Sequence, residues 1–162
     1  MKIGILSDTH GCFDERLRNF FAEVNELWHA GDVGGVAVAD AMSAFKPVRA
    51  VYGNIDGNEI RRMYPRFQRF SCNGVDVLMT HIGGYPSKYD PSIVETLHKN
   101  PPQLFVCGHS HILKVMFDKK LNFLHINPGA AGIYGFHHVR TAVRLEITNG
   151  EMKNLEIGEW EK

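Results

Sequence analysis

The first half of the chain alternates short apolar runs with stretches in which apolar residues recur at helical spacing. The predicted strands are residues 2–8, 26–30 and 48–52. Asp14 can cap the first intervening helix, and Pro47 stops the second. Another short helix is predicted around 58–64. This order of strands and helices predicts a parallel sheet, because parallel neighbours need crossover connections.

The second half of the chain has a different, more hairpin-like pattern. Residues 67–72 and 75–80 flank Asn73-Gly74, which is typical of a tight turn. Asp90-Pro91 is typical of a helix start. The remaining predicted strands are 104–107, 113–118, 122–126, 140–148 and 151–157. The chain is therefore predicted to be one α/β domain over residues 1–162, with two packed mixed β-sheets flanked by helices.

Five of the apolar runs end in Asp, Asn or His. The polar segments are Asp8-Thr9-His10, Gly31-Asp32, Gly53-Asn54-Ile55-Asp56, Thr80-His81 and Gly108-His109-Ser110-His111. In open α/β sheets, ligands bind at the carboxyl ends of the strands. We therefore expect these segments to meet at one edge of the fold.

The residue types in these segments indicate a metal centre. The candidate ligands are Asp8, His10, Asp32, Asn54, His81, His109 and His111. Carboxylate, amide and imidazole ligands without thiolate suit Mn²⁺, Fe²⁺, Zn²⁺, Co²⁺ or Ni²⁺. Seven ligands are too many for one catalytic ion with open positions and fit two ions. Two adjacent ions activate water and clamp phosphate oxygens during in-line displacement at phosphorus.

The ordered motifs D-x-H, G-D, G-N-x-D, T-H and G-H-x-H resemble the signature of the calcineurin-like metallophosphoesterase superfamily. The length is similar to that of its small bacterial and archaeal phosphodiesterase branch, and Asn127-Pro128-Gly129 resembles the N-P-G turn of that branch. The resemblance implies an αββα sandwich. It also implies a phosphoesterase in which a metal-bridging hydroxide attacks phosphorus.

The resemblance also implies a role for each matching residue. The first ion would be held by Asp8, His10, Asp32 and His111, and the second by Asp32, Asn54, His81 and His109. Asp32 would then bridge the ions, and Asp56 would orient a ligand or water. We assign Asp32, Asn54 and Asp56 to catalysis. We expect two divalent ions per chain, with manganese favoured and nickel, cobalt, zinc and iron as alternatives.

Ile55 departs from the superfamily pattern. Many members carry histidine at this position, where it can protonate the leaving group or contact the phosphate. Isoleucine can do neither. General acid catalysis typically raises the reaction rate about 10²–10⁴-fold, and this contribution is absent at position 55. Esters with good leaving groups are therefore expected, and a phosphodiesterase is favoured over a phosphomonoesterase. Ala130 also stands where the related branch commonly has serine.

Two kinds of alternative function stay open. A phosphomonoesterase or nucleotide pyrophosphatase of the same fold would use the same metal site. A protein-interaction scaffold of the retromer-subunit type would be expected to lose ligands, whereas all seven positions are filled here. The cluster of arginines at 61, 62, 66 and 69 is a cationic rim that gathers anionic substrate, an oligomer contact rich in arginine and aromatic residues, or a solvated helix face, and the last is slightly favoured.

Composition limits the remaining possibilities. Equal numbers of basic and acidic residues, 18 of each, give no support to a general nucleic-acid or membrane binder. No apolar run approaches the roughly 20 residues that span a bilayer. Cys12, Cys72 and Cys107 have no C-x-x-C spacing and are predicted to be free thiols in a reducing compartment. We expect a cytoplasmic enzyme acting on a small phosphate ester, and the resemblance is compatible with a homo-oligomer.

Not every histidine is expected to bind metal. His29 is predicted to pack behind the site and His98 to face solvent. His125 could lie on either side of the site boundary. His137-His138 and Arg140 follow a glycine-rich stretch that either closes over the site mouth or forms an ordinary surface loop, and the latter is favoured.

Overall fold

A computed structural model describes all residues from 1 to 162. The helices are α1 (Glu15–Phe20), α2 (Val36–Phe45), α3 (Asn58–Met63) and α4 (Val94–Lys99). The strands are β1 (Lys2–Leu6), β2 (Glu26–His29), β3 (Val48–Ala50), β4 (Phe67–Cys72), β5 (Val75–Thr80), β6 (Gly84–Tyr85), β7 (Lys88–Tyr89), β8 (Leu104–Val106), β9 (Leu113–Asp118), β10 (Phe123–Pro128), β11 (Val139–Thr148) and β12 (Glu151–Glu161). None of the helices has the length and apolar character needed to cross a membrane.

The first sheet has the strand order β12-β11-β1-β2-β3. Strands β1, β2 and β3 run parallel, as the strand–helix alternation predicted. Strand β11 is antiparallel to both β1 and β12, which makes the sheet mixed. Asn149 and Gly150 both have positive φ, at 50° and 80°, and so form the left-handed turn that joins the β11–β12 hairpin.

The second sheet has the strand order β4-β5-β8-β10-β9. Its β4–β5 hairpin pairs Phe67 with Thr80 and Cys72 with Val75, in agreement with the predicted turn at Asn73-Gly74. Strands β5, β8 and β10 are parallel, and β9 is an antiparallel edge strand. The sequence predicted the strands of this sheet but not their order, in which β5 connects to its parallel neighbour β8 through α4.

The two sheets pack face to face around the main core. Ile3, Ile5 and Trp28 from the first sheet pack with Val77 and Met79 from the second in one buried cluster of 15 residues. A second cluster of 12 residues places α1 and α2 on the outer face of the first sheet. A third cluster places α4 outside the second sheet. This arrangement confirms the predicted sandwich of two mixed sheets with helices outside.

One local prediction was wrong, and one element was not predicted. Helix α4 begins at Val94 rather than at Asp90, because the Asp90 carboxylate accepts hydrogen bonds from the backbone and hydroxyl of Ser92 and forms a turn first. The small β6–β7 hairpin was not predicted. Its strands have two residues each, too few to give a recognisable alternation of apolar and polar positions.

Candidate metal centre

The five polar segments meet at the carboxyl-terminal edge of both sheets. They follow β1, β2 and β3 in the first sheet and β5 and β8 in the second. Asp8, His10, Asp32, His109 and His111 all have positive φ, between 43° and 71°. This backbone region is uncommon for residues other than glycine, although Asp and His are enriched there. Strained backbone that the surrounding fold maintains is concentrated at functional sites.

One group of candidate ligands consists of Asp8, His10 and His111. The three offer ligand atoms that lie within 4.8 Å of one another. The Nε2 atom of His111 is 3.2 Å from Oδ1 of Asp8, and the Nε2 atom of His10 is 3.9 Å from the same oxygen. The other Asp8 oxygen accepts a hydrogen bond from the backbone N–H of His109. That contact orients the carboxylate and leaves Oδ1 facing the histidines.

The second group consists of Asp32, His81 and His109, again with ligand atoms within 4.8 Å of one another. The Nε2 atom of His81 is 3.2 Å from Oδ1 of Asp32. The Nδ1 atom of His81 lies 2.7 Å from the carbonyl oxygen of Ala30, to which it can donate. This contact favours the tautomer whose Nε2 lone pair faces the site, a common arrangement for metal-binding histidines.

Asp32 lies between the two groups. Its Oδ2 atom is 3.5 Å from Nε2 of His10, while its Oδ1 atom faces His81. The backbone N–H of Ile55 donates to Oδ1 at 3.1 Å. The carboxylate therefore presents one oxygen to each group, which is the geometry required of a ligand shared by two ions.

Several polar atoms of these residues are buried without a hydrogen-bond partner. They are Oδ1 of Asp8, Nε2 of His10 and Nε2 of His81. An unpaired buried polar atom costs about 1–3 kcal/mol, and buried polar groups in proteins are nearly always paired. All three unpaired atoms face the common centre. The donor set thus fits divalent cations, which would supply the missing partners.

Burial and the facing charges act against each other at these groups. Burial by itself would raise the pKa of Asp8 and Asp32, but the hydrogen bonds and charges of His111 and His81 hold both below their usual values. Burial opposes a charge on His81, yet Asp32 and Asp8 raise its pKa. The carboxylates are therefore ionised at neutral pH. Divalent cations would take the place of the protons that the histidines share with them.

Asp56 holds two of the loops together. Its carboxylate is buried and accepts hydrogen bonds from the backbone N–H groups of Val33, Gly34 and Gly53, at 2.8–3.1 Å. These contacts join the loop that carries Asp32 to the loop that carries Asn54. The structure thus places Asp56 behind the candidate ligands, where it positions them.

Asn54 is the candidate ligand that separates two surface clefts. The larger cleft, about 550 Å³ in volume, also exposes His10, Asp32, His109 and His111. The lining of this cleft also includes four exposed apolar residues, Ile55, Ile112, Tyr134 and Phe136, which we call its apolar wall. The Tyr134 ring lies 5.1 Å from the ring of His10. A substrate at the metal centre would therefore contact an apolar wall.

Residues of this wall in the glycine-rich loop were not identified from the sequence. Tyr134 and Phe136 belong to a loop that the sequence predicts to be ordinary surface. Their signal was two aromatic side chains in an exposed stretch, and Phe136 is fully exposed. The sequence also predicted no structural role for Asn127. Its side-chain amide donates hydrogen bonds to Gly108 O and Ser110 Oγ, and these bonds stabilise the loop that carries His109 and His111.

The remaining histidines have different surroundings. His29 is buried, with Nε2 2.9 Å from Thr9 Oγ1 and Nδ1 accepting from Gly31 N–H, so it braces the loops after β1 and β2 as predicted. Burial lowers its pKa to about 4. His98 is exposed. His125 lies in the core against Phe105 and belongs to no candidate ligand group.

The loop before β11 contributes to the site through His137. Its ring lies 5.1 Å from that of His111, and its Nε2 atom is 2.8 Å from Gly132 O. Arg140 does not face the mouth of the cleft. It is buried, pairs with Asp14 and donates to Ala131 O, because a guanidinium in the core needs a carboxylate partner.

Fold and site together define an αββα protein with two adjacent groups of metal-ligand residues. The chain belongs to the calcineurin-like phosphoesterase superfamily, whose domain model matches residues 1–150. This membership confirms the resemblance drawn from the motifs. No curated protein matches the chain significantly in sequence.

Solved structures with the same fold include a phosphodiesterase and Vps29 proteins. An archaeal phosphodiesterase is 22% identical, with a TM-score of 0.74 over 97% of this chain and 99% of that one. Vps29 from Chaetomium thermophilum is 13% identical, with a TM-score of 0.75 over 100% and 99%. Vps29 from Entamoeba histolytica in complex with zinc is 15% identical, with a TM-score of 0.72 over 99% of each chain. At these identities the likeness shows the fold.

Proposed function

We propose that this protein is a phosphodiesterase that depends on two divalent metal ions. The observation that carries the proposal is the pair of ligand groups, Asp8–His10–His111 and Asp32–His81–His109, with Asp32 facing both. Superfamily membership supports phosphoester hydrolysis in general. The fold is also that of Vps29 proteins, so the case for catalysis rests on the complete ligand set and not on the fold.

The ligand assignment follows from the two groups. Asp8, His10, Asp32 and His111 would hold one ion, and Asp32, Asn54, His81 and His109 the other. When bound, the two ions would supply hydroxide at neutral pH and neutralise the charge on phosphate oxygens. Manganese is our first choice and iron, cobalt, nickel and zinc are alternatives, since all accept this mixture of nitrogen and oxygen ligands.

The chain's own residues set the preference for leaving groups. Ile55 lies in the wall of the larger cleft and is 48% exposed, so it meets bound substrate but offers no proton. The leaving group must therefore depart without a general acid from this position. The apolar wall favours a substrate whose organic group is aromatic or otherwise apolar. Both features favour phosphodiesters with good leaving groups over alkyl phosphomonoesters.

The proposal also covers the cellular compartment, the size of the substrate and the oligomeric state. All three cysteines are free, which suits a reducing compartment such as the cytoplasm. The substrate would be a small phosphate ester, because the clefts beside Asn54 have volumes of about 220 and 550 Å³, a size that small ligands occupy. A homo-oligomer is compatible with this arrangement.

The test uses metal-stripped protein. Mn²⁺, Ni²⁺, Co²⁺, Zn²⁺ and Mg²⁺ are added separately, and hydrolysis of bis(4-nitrophenyl) phosphate is compared with that of 4-nitrophenyl phosphate. We expect faster turnover of the diester with one of the transition metals. A preference for the monoester would reject the phosphodiesterase assignment while keeping the metal site. No turnover with two bound equivalents of metal would favour the scaffold alternative.

A further inference from the structure

A second cleft shares Asn54 with the larger cleft. It has a volume of about 220 Å³ and is lined in part by Asn54, His81, Arg61 and Arg66. No carboxylate is among its lining residues. The cleft therefore combines two candidate metal ligands with two guanidinium groups. No acidic side chain in its lining neutralises the positive charge of the two arginines.

Arg61 is held beside the metal centre by neutral groups. Its Nε atom donates to Asp56 O at 2.6 Å, and one terminal nitrogen donates to Asn54 O at 3.4 Å. The guanidinium also lies over the Tyr52 ring, 4.5 Å from its centroid. Arginine has five N–H donors, so these contacts fix its position and leave donors free.

Arg66, which directly precedes β4, is less engaged than the arginines within the β-strands. It forms no ion pair and no side-chain hydrogen bond, and its guanidinium lies over the Phe67 ring at 5.0 Å. By contrast, Arg49, Arg69 and Arg144 each pair with a carboxylate. The pairing of Arg69 with Asp76 also removes it from the cationic rim that the sequence suggested. Arg66 is thus available to bind an anion.

One acidic group that interacts with Arg66 electrostatically, Asp90, does not occupy its donors. Asp90 lies outside the lining of this cleft and accepts hydrogen bonds from the N–H and hydroxyl of Ser92. Those bonds lower the pKa of Asp90, and the charges of Arg66 and His109 act in the same direction. Asp90 is therefore a fixed negative charge at the border that would help to orient Arg66 without occupying its donors.

We propose that Arg61 and Arg66 form a subsite for a second phosphate group, one that is linked to the phosphate at the metal centre. This proposal rests on the proposed two-metal hydrolysis at phosphorus and names a substrate class for the same site, a diphosphate diester, whose P–O–P anhydride bond would be cleaved as in the nucleotide pyrophosphatase alternative. Arginine recognises phosphate through pairs of parallel N–H donors, which gives both affinity and orientation. A phosphate bound beside Asn54 would be adjacent to the one held at the metal centre.

The chemistry of a diphosphate diester suits a site that has Ile55. The oxygen of water forms a bond to the phosphorus at the metal centre, and the bond from that phosphorus to the bridging oxygen breaks. The departing phosphomonoester keeps the electron pair of that bond, and the protons of water pass to solvent or product. The products are two phosphomonoesters. A phosphate leaves as a stabilised anion, so no general acid is needed.

The test compares two variants of neighbouring arginines. Arg66→Gln removes the charge in the cleft, and Arg62→Gln is the matched control, because Arg62 is exposed and does not line the cleft. Hydrolysis of P1,P2-di(adenosine-5′) diphosphate is compared with hydrolysis of bis(4-nitrophenyl) phosphate. We expect Arg66→Gln to lower the ratio of their kcat/KM values by at least about tenfold, mainly through KM. Arg62→Gln should leave the ratio unchanged.

A binding measurement separates this proposal from the proposed function. Calorimetry on the metal-loaded protein compares α,β-methylene-ADP with AMP, which lacks the second phosphate. We expect the wild type to bind the diphosphate at least about tenfold more tightly and Arg66→Gln to lose that preference. Equal binding of both ligands by the wild type, or a preference that persists in Arg66→Gln, would overturn the subsite. An Arg66-dependent preference without hydrolysis of any ester would sustain the subsite and reject the phosphoesterase.

Discussion

At the scale of single residues, the site depends on backbone conformations that few residue types accept. Asp8 and Asp32 each follow a strand and turn at once into the left-handed region, with φ of 53° and 57°. Asp adopts this region more readily than most residues, because its short side chain can hydrogen-bond locally. The residue type therefore suits both the turn and the proposed ligand function. This explains why the motifs could be recognised from the sequence.

Asp32→Asn tests the shared ligand. The substitution keeps the shape but removes the charge that faces both His10 and His81. Loss of a residue that only supports a metal ligand lowers metal affinity or activity about 10–100-fold. For the shared ligand itself we expect at least about a 100-fold loss of metal-dependent hydrolysis. Elemental analysis should show less than two bound ions. Asp40→Asn, at an exposed position of α2, is the control and should keep both properties.

Full activity and metal content in Asp32→Asn would show that the bridging assignment is wrong. Circular dichroism should show the same fold for both variants, because the change is isosteric. An unfolded Asp32→Asn would instead be recognised by loss of the cooperative thermal transition.

Gly53→Ala tests the close approach of two loops. A Cβ atom at this position would lie 2.0 Å from Oδ1 of Asp32 and 2.3 Å from its backbone nitrogen. The carboxylate must therefore move, and we expect the variant to bind metal more weakly and to hydrolyse the diester at least about tenfold more slowly. The control is Gly57→Ala, where the added atom meets nothing within 4 Å. Similar metal titrations for the two variants would argue against this packing.

At the scale of secondary structure elements, strands were easier to predict than the contacts between them. The β4–β5 hairpin has the predicted residues because Asn73-Gly74 accepts the positive φ values that a two-residue turn needs. Helix α4 was misplaced because the Asp90 side chain favours a local turn. Asp residues act both as helix caps and in turns, and the sequence alone does not distinguish the two.

Strand β10 carries a titratable group into the core. His125 is fully buried, neither ring nitrogen has a partner, and its ring packs against Phe105. Burial lowers its pKa to about 4. The unfolded chain would have a histidine pKa of about 6.5 and would bind more protons between these values. The stability of the fold should therefore fall as the pH drops from about 6.5 towards 4.

His125→Leu tests this linkage. We expect the free energy of unfolding of the metal-free wild type to lose about 2 kcal/mol more than that of the variant between pH 8 and pH 5. Urea denaturation at the two pH values measures the difference. His98→Gln is the control, because His98 is exposed and its replacement should keep the wild-type dependence. Parallel pH dependences for the wild type and His125→Leu would contradict the prediction.

At the scale of the whole molecule, the candidate metal centre joins the two sheets. Asp8, His10 and Asp32 come from the first sheet, whereas His81, His109 and His111 come from the second. The ligand set is thus assembled only when the sheets pack together. Binding of a cation to this set is therefore linked to folding of the entire sandwich.

Metal addition should accordingly stabilise the whole fold. A ligand that binds only the native state adds about 2.7 kcal/mol at a free concentration 100 times its Kd. We expect the thermal midpoint of the stripped protein to rise with Mn²⁺ concentration in one cooperative transition. In Asp32→Asn the rise should be smaller, because that carboxylate faces both ligand groups. A midpoint that does not respond to any of the transition metals would contradict the proposed centre.

The sequence by itself determined the chemistry that is available. The alternation of apolar and polar positions gave the strands, and the order of five Asp-, Asn- or His-containing segments gave the ligand types. Ile55 in place of histidine was also visible directly. These features are local, because side-chain chemistry, turn conformation and strand periodicity depend on a few neighbouring residues.

Only the tertiary structure decided which of these groups act together. It placed Asp32 between the ligand groups, engaged Asp56 with backbone N–H groups and buried His125 away from the site. It also paired Arg69 with Asp76 and left Arg66 unpaired. These distinctions depend on how two sheets pack and where side chains from distant segments point. That packing is a property of the complete core, which no local sequence pattern specifies.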